Sequence, residues 1–299
     1  MFIFLCHVRS QGGDLLVRET DAAITVLNGR STVLVYNKAP TADTEENDPV
    51  YTRSGYIHPV FTPSGKQVTD DFAPDHPHQH GLFFAWTRTS FEGRSPEFWN
   101  QKKMAGGISY AETVELIEED DHVGFEVRHR WDDLTAPIEP KAVLTEKWEV
   151  LVRKAEKAYV IDLVSRQSLA GERPLVIEKY HYGGMAIRGS RAWMGEDDLL
   201  MRTNEGLGRI RGNHTRPESV VMSGLIDGSP CGILAIQDPS NFRYPQWVRL
   251  HPAKPYFVFS PMVEEPFTIE PGEAYVSKYR YVIFDDGRPA KSLRSLPRP

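Results

Sequence analysis

Cysteine is scarce in this chain: two in 299 residues, Cys6 and Cys231. Two thiols so far apart do not build a disulfide framework, and free buried side chains are expected. Long apolar runs are missing too. Nothing approaches the roughly 20 apolar residues of a membrane helix, so no membrane span is expected. The opening MFIFLCHV is apolar but short. It has no basic segment ahead of it and no small-residue cleavage site behind it. The sequence reads as a soluble protein, cytoplasmic, or periplasmic or secreted if the start is truncated. No basic tract stands out and the formal charge is −6, which argues against nucleic acid as a partner. A Walker A loop, a dinucleotide fingerprint, an HExxH pair and a GxSxG elbow are all absent. Those absences remove the common signatures of nucleotide binding, zinc peptidases and serine hydrolases.

Helical periodicity is scarce as well. Short runs rich in Val, Ile, Phe, Tyr and Thr are broken by Gly, Pro, Asn and Asp almost throughout. Strands are expected at Ala23–Leu27 and Thr32–Tyr36, with Asn28-Gly29 as the hairpin turn. A meander follows over Glu112–Glu118, Val123–Trp131, Ala142–Val152 and Ala158–Ser168. Gly184–Arg188, Ser219–Ile226, Tyr256–Ser260 and Tyr275–Asp285 continue the pattern. Arg202–Pro217 reads as a long loop, and the tail after Asp286 is expected to fray. Fifteen or more strands without intervening helices make an all-β fold, a large antiparallel two-sheet sandwich. It is expected to form one domain over 1–299 with a core of about 14–287.

What the sequence does have is histidine in one place. The stretch from Arg53 to Trp86 holds four of the chain's ten histidines. His76, His78 and His80 alternate in DHPHQHG. Pro77 pushes His76 toward an extended backbone, where alternate side chains share a face. Gly81 then opens a Leu-Phe-Phe-Ala-Trp run that reads as a buried strand. Imidazoles titrate near neutrality, so they can act as acid, base or ligand. A same-face His-x-His pair can place two nitrogens on one metal ion, and a divalent metal at His76 and His78 is one expectation. Metal-free acid–base work is the other. Asp75 could orient a histidine as hydrogen-bond acceptor. Arg53 and His58 flank the motif.

Three further constellations accompany it. In EKYHYGG, Lys179 and His181 alternate with Tyr180 and Tyr182, a set suited to a polyhydroxyl ligand, since aromatic faces stack on sugars. In QDPSNFRYPQW and the following His-Pro, two prolines shape a rigid loop that would present Arg243, Trp247 and His251. In VEEP, Glu264 could serve as a complementary carboxylate base. Each also has a plain structural reading: a strand end with core tyrosines, a loop pinned by a tryptophan, solvated charges before a turn.

These segments resemble a known family. GYIHPVFTPSGKQVTDDFAPDHPHQHGLFFAW, KYHYGGMAIRG, ILAIQDPSNFRYPQWVRLHPAKPYFVFSP and PGEAYVSKYRYVIFDDG together look like the PmoA-like family of uncharacterised bacterial proteins, over about residues 20 to 287. In that pattern the histidine motif reads His-Pro-His-His-Arg-Gly, so His76 and His78 match and His80 departs. The family's methane-oxygenase label fits poorly with a chain that lacks a spanning segment. The resemblance implies a supersandwich of the galactose-mutarotase kind and raises carbohydrate chemistry above other options. The expectation is therefore a hydrolase, lyase or epimerase acting on a sugar or oligosaccharide substrate. His76, His78 and Glu264 would be catalytic, and Arg53, His58, Lys179, His181, Tyr182, Arg243, Trp247 and His251 would line the pocket. The alternatives are a non-catalytic carbohydrate-binding module and a histidine-ligated metal-dependent oxygenase or hydrolase.

Overall fold

The computed structural model describes residues 15–41, 49–195 and 199–286. Two eight-stranded antiparallel sheets dominate it. In spatial order the first runs Leu15–Glu19, Ala23–Asn28, Ser31–Asn37, Tyr56–Val60, Leu82–Ala85, Gly184–Arg188, Tyr256–Ser260 and Trp247–Leu250. The second runs Leu199–Thr203, Ser219–Ile226, Ser229–Gln237, Ala274–Asp285, Ala158–Leu169, Lys141–Ala155, Val123–Asp133 and Gly106–Glu118. The sheets pack face to face through large aromatic rings. Tyr36 meets Phe125 at 5.3 Å, Phe84 meets Trp131 at 6.1 Å, and Phe259 stacks on Tyr279 at 5.5 Å. Such pairs add directional preference to the area they bury. No helix of the described residues is long and apolar enough to cross a membrane.

The expected all-β, two-sheet architecture is the one observed. Three local expectations shift. The first hairpin turns on Gly29 and Arg30, because Asn28 still pairs with Ser31, and Gly29 takes the positive φ. Within 202–217 the strand Leu199–Thr203 ends and a single helical turn forms at Arg209–Gly212. Four residues are too few to show a period. Part of the proline-shaped loop is also an edge strand, Trp247–Leu250, in which Val248 and Leu250 alternate inward. The apolar opening, Cys6 and the tail after Asp286 lie outside the described residues; Cys231 is buried and free.

The core contains an unexpected charge. Glu146 is 1% exposed between the sheets. Its carboxylate accepts from Ser165 Oγ (2.6 Å), Trp148 Nε1 (2.8 Å), Trp131 Nε1 (3.0 Å), His129 Nδ1 (3.0 Å) and Gln167 Nε2 (3.1 Å). The Tyr36 hydroxyl in turn donates to His129 Nε2 at 2.6 Å. Burial alone would raise the Glu146 carboxyl, but the donors around it outweigh that and hold it below its ordinary value. A buried charge survives when its lone pairs are filled. Ser165→Ala removes one of the five donors. It is expected to cost about 1–3 kcal/mol in urea unfolding, with the denaturant slope unchanged.

Candidate functional site

His76–His80 forms a short ladder with Asp71–Ala73. The chain then enters the buried strand Leu82–Ala85 through Gly81. That residue has φ +43°, and a Cβ there would sit 2.1 Å from the Ile57 carbonyl oxygen, so only glycine lets the histidine strand lie this close to the sheet. Arg188, at the end of Gly184–Arg188, donates its backbone N–H to the Gly81 carbonyl at 2.7 Å.

The Arg188 side chain is fully buried and grips Asp75 with both terminal nitrogens. Nη2 donates to Oδ1 at 2.7 Å and Nη1 to Oδ2 at 3.1 Å. Nη1 also reaches Gln79 Oε1 at 3.1 Å. The two-pronged pair fixes the carboxylate in one orientation. On that carboxylate His76 rests its Nδ1–H, 2.7 Å from Oδ2. Burial pushes the Asp75 carboxyl up, but the bonds from Arg188 and His76 win and hold it well below the carboxylate range. With Nδ1 engaged as a donor, the lone pair of neutral His76 sits on Nε2. The ring is 31% exposed.

Two more imidazoles face it. The His78 ring lies 5.6 Å from that of His76, and the His251 ring lies 5.5 Å from it. His251 Nδ1 accepts from the Ala253 and Lys254 amides at 3.1 and 3.0 Å, so neutral His251 carries its proton on Nε2. Burial first, then the neighbouring His76, lowers His78 to about 3 and His251 to about 4. Both are neutral at physiological pH.

His80 does not join them. It is fully buried, donating from Nδ1 to Asp71 Oδ1 at 2.5 Å while Nε2 accepts from Gln101 at 3.1 Å. Tyr56 donates to the other oxygen of Asp71 at 2.6 Å. His58 lies beside this group, 3.0 Å from Thr69 Oγ1, and burial lowers it to about 4.

Beyond His251 the outer face of the first sheet continues as aromatic rings. Tyr256 lies 6.1 Å from His251 and 6.0 Å from Trp99, and Trp99 meets Tyr182 at 5.1 Å. Tyr182 touches the exposed His181 (4.7 Å), which faces His214 at 6.2 Å. Tyr182 also borders a polar cavity of about 240 Å³ between Arg88, Glu97, Asn100 and Lys103. Trp247 and Arg249 stand half-buried on the same outer face of the edge strand.

The other expected site residues lie elsewhere. Arg53 is buried, donating to the Phe84 carbonyl at 3.0 Å over the Phe83 ring, and burial lowers it to about 10. Arg243 is spent on the carbonyls of Pro261, Glu265 and Pro266 at 2.7–3.0 Å. Lys179 and Glu264 are exposed and are not brought to the histidines. The carboxylate at the histidines is Asp75. Arg188, Arg249, Trp99, His214 and Tyr256 escaped the sequence reading. Arg188 did leave a signal, as a lone charge closing the apolar strand Gly184–Arg188. As for a metal, no group of three or more His, Cys, Asp or Glu that could hold one forms among the described residues. His76 and His78 offer two imidazoles, and His251 has its Nδ1 lone pair taken by two backbone amides.

A family model matches residues 23–296, described as Family of unknown function (DUF6807). The chain belongs to this family. The PmoA-like label read from the motifs has no counterpart in these matches. No curated protein matches this DUF6807 member. Solved structures similar to it include the GH36 alpha-galactosidase AgaB from Geobacillus stearothermophilus, at 12% identity and TM-score 0.41, covering 92% of this chain and 40% of that one. The heparan sulfate lyase HepC from Pedobacter heparinus matches at 10% identity and TM-score 0.34, covering 93% and 36%. A putative aldose 1-epimerase from Escherichia coli K12 matches at 8% identity and TM-score 0.37, covering 92% and 100%. The chain thus spans well under half the length of the first two.

The histidine face should register in stability. The unfolded chain takes up protons on His78 and His251 near the ordinary value of 6.5, while the folded chain refuses them down to about 3 and about 4. Stability is therefore complete above pH 6.5 and falls as the pH drops from there toward pH 4. Urea melts stepped across that window are expected to show this fall, and His78→Gln is expected to flatten it.

Proposed function

We propose that this protein is a carbohydrate-active enzyme that moves protons at a sugar with a pair of histidines. The observation that carries the reading is the opposed proton placement of His76 and His251. His76 gives its Nδ1–H to Asp75, which Arg188 grips, so the neutral ring has its lone pair on Nε2. His251 presents a protonated Nε2, fixed by two backbone amides. Their rings are 5.5 Å apart. One can take a proton and the other can donate a hydrogen bond to a sugar oxygen as charge builds on it, a division of labour that opening or isomerising a sugar uses. In this reading His76 is the base, His251 the hydrogen-bond donor to the sugar oxygen, and Asp75 with Arg188 are positioning residues. His78 narrows the site beside the base.

The surroundings favour a sugar over other substrates. Trp247 and Tyr182 are partly exposed and offer flat apolar faces next to polar tips, the combination that accepts a ring's C–H face and its hydroxyls together.

Turnover is measured on a panel of aldoses and glycosides by polarimetry and reducing-end release. His76→Ala is expected to lower kcat by about 10²–10⁴-fold, with a melting transition that stays cooperative. His251→Ala is expected to fall in the same range. Normal turnover in His76→Ala would sink the catalytic assignment. Sugar binding with no turnover in the native protein would make this a non-catalytic binding module instead.

A further inference from the structure

The proton-transfer pair leaves one charge on this face without a use. Arg249 stands half-buried on the outer face of the edge strand, opposite Val258. Three other arginines are engaged. Arg188 holds Asp75, Arg191 lies against Asp70, and Arg243 is taken up by three carbonyls. Arg249 has no hydrogen bond or ion pair among the described residues. Burial is the main cause that lowers His181, His214 and His251, and the charge of Arg249 adds to it in all three. It also acts on the hydroxyls of Tyr182 and Tyr256. The Tyr256 hydroxyl is buried with no hydrogen-bond partner. A half-desolvated guanidinium and a spare donor, with no carboxylate to answer them, are an unfilled anion site rather than a structural pair.

We infer that Arg249 receives the carboxylate of an acidic sugar, so that the substrate class is a uronic acid or a uronide. This rests on the carbohydrate reading of the same face. The planar fork of a guanidinium matches a planar carboxylate with two parallel bonds. Bound there, the ring would lie along Tyr182 and Trp247, with its anomeric end free to reach His76 and His251.

The test is calorimetric titration of the native protein with glucuronate and galacturonate, against glucose and galactose. Glucose 6-sulfate and glucose 6-phosphate are run beside them. The acidic sugars are expected to bind at least about tenfold more tightly than their neutral parents, the ratio a charge-assisted hydrogen bond supplies. Arg249→Gln is expected to bring that ratio toward one. Arg249→Lys, which keeps the charge and loses the fork, is expected to fall between. His76→Ala is expected to keep the preference, because it acts on the proton and not on the anion. Equal affinity for acidic and neutral sugars, a preference that survives Arg249→Gln, or tighter binding of the sulfate or phosphate would each overturn the inference. Equal affinity together with His76-dependent turnover would do so while leaving the proton-transfer reading standing. Failure of every sugar to bind would overturn both.

Discussion

The pairing of Arg188 with Asp75 is the contact on which the histidine face depends. Arg188 belongs to the first sheet and is wholly inside the protein. Asp75 belongs to the turn that leads into His76–His80. Removing two charges from water is costly, and the cost is recovered only where the geometry is tight. Here it is tight, with both guanidinium nitrogens on both carboxylate oxygens. The pair therefore holds the histidine ladder against the sheet and at the same time sets the tautomer of His76. One interaction fixes the place of the ring and the place of its proton.

Much of this was legible in the residues. The alternation of His76 with His78 and the proline between them signalled an extended strand, and that strand formed. Asp75 was legible as an orienting acceptor because it adjoins the motif. The nearness of His251 to His76 was not legible, since 175 positions of chain separate residues 76 and 251, and only sheet order brings the edge strand's end beside the ladder. Nor was the fate of His80 visible. It follows the same alternation as its neighbours, yet the chain dives at Gly81 and takes that ring into the interior with it.

The arginines show why residue type alone misleads. Arg53 and Arg243 occupied suggestive motifs and proved to be clamps on backbone carbonyls. A guanidinium has five donors and binds irregular main chain as readily as a substrate. Arg188 and Arg249 sat in plain strands and drew no notice. What separates the two kinds is the partner, which only the folded arrangement supplies.

The buried Glu146 has a meaning beyond its hydrogen bonds. In the ladders it lies directly opposite His129 on one side and Gln167 on the other. Trp148, Trp131 and Ser165 are two positions along on the same inward face. Its five donors thus come from three adjacent strands, and they converge in one alignment only. Sliding any of these strands by one residue would turn its donors outward and strand a naked carboxylate among aromatic rings. Long strands of alternating apolar residues could otherwise pair in several registers at similar energy. The carboxylate works as a key: an apolar core would accept neighbouring alignments, and this one admits a single solution.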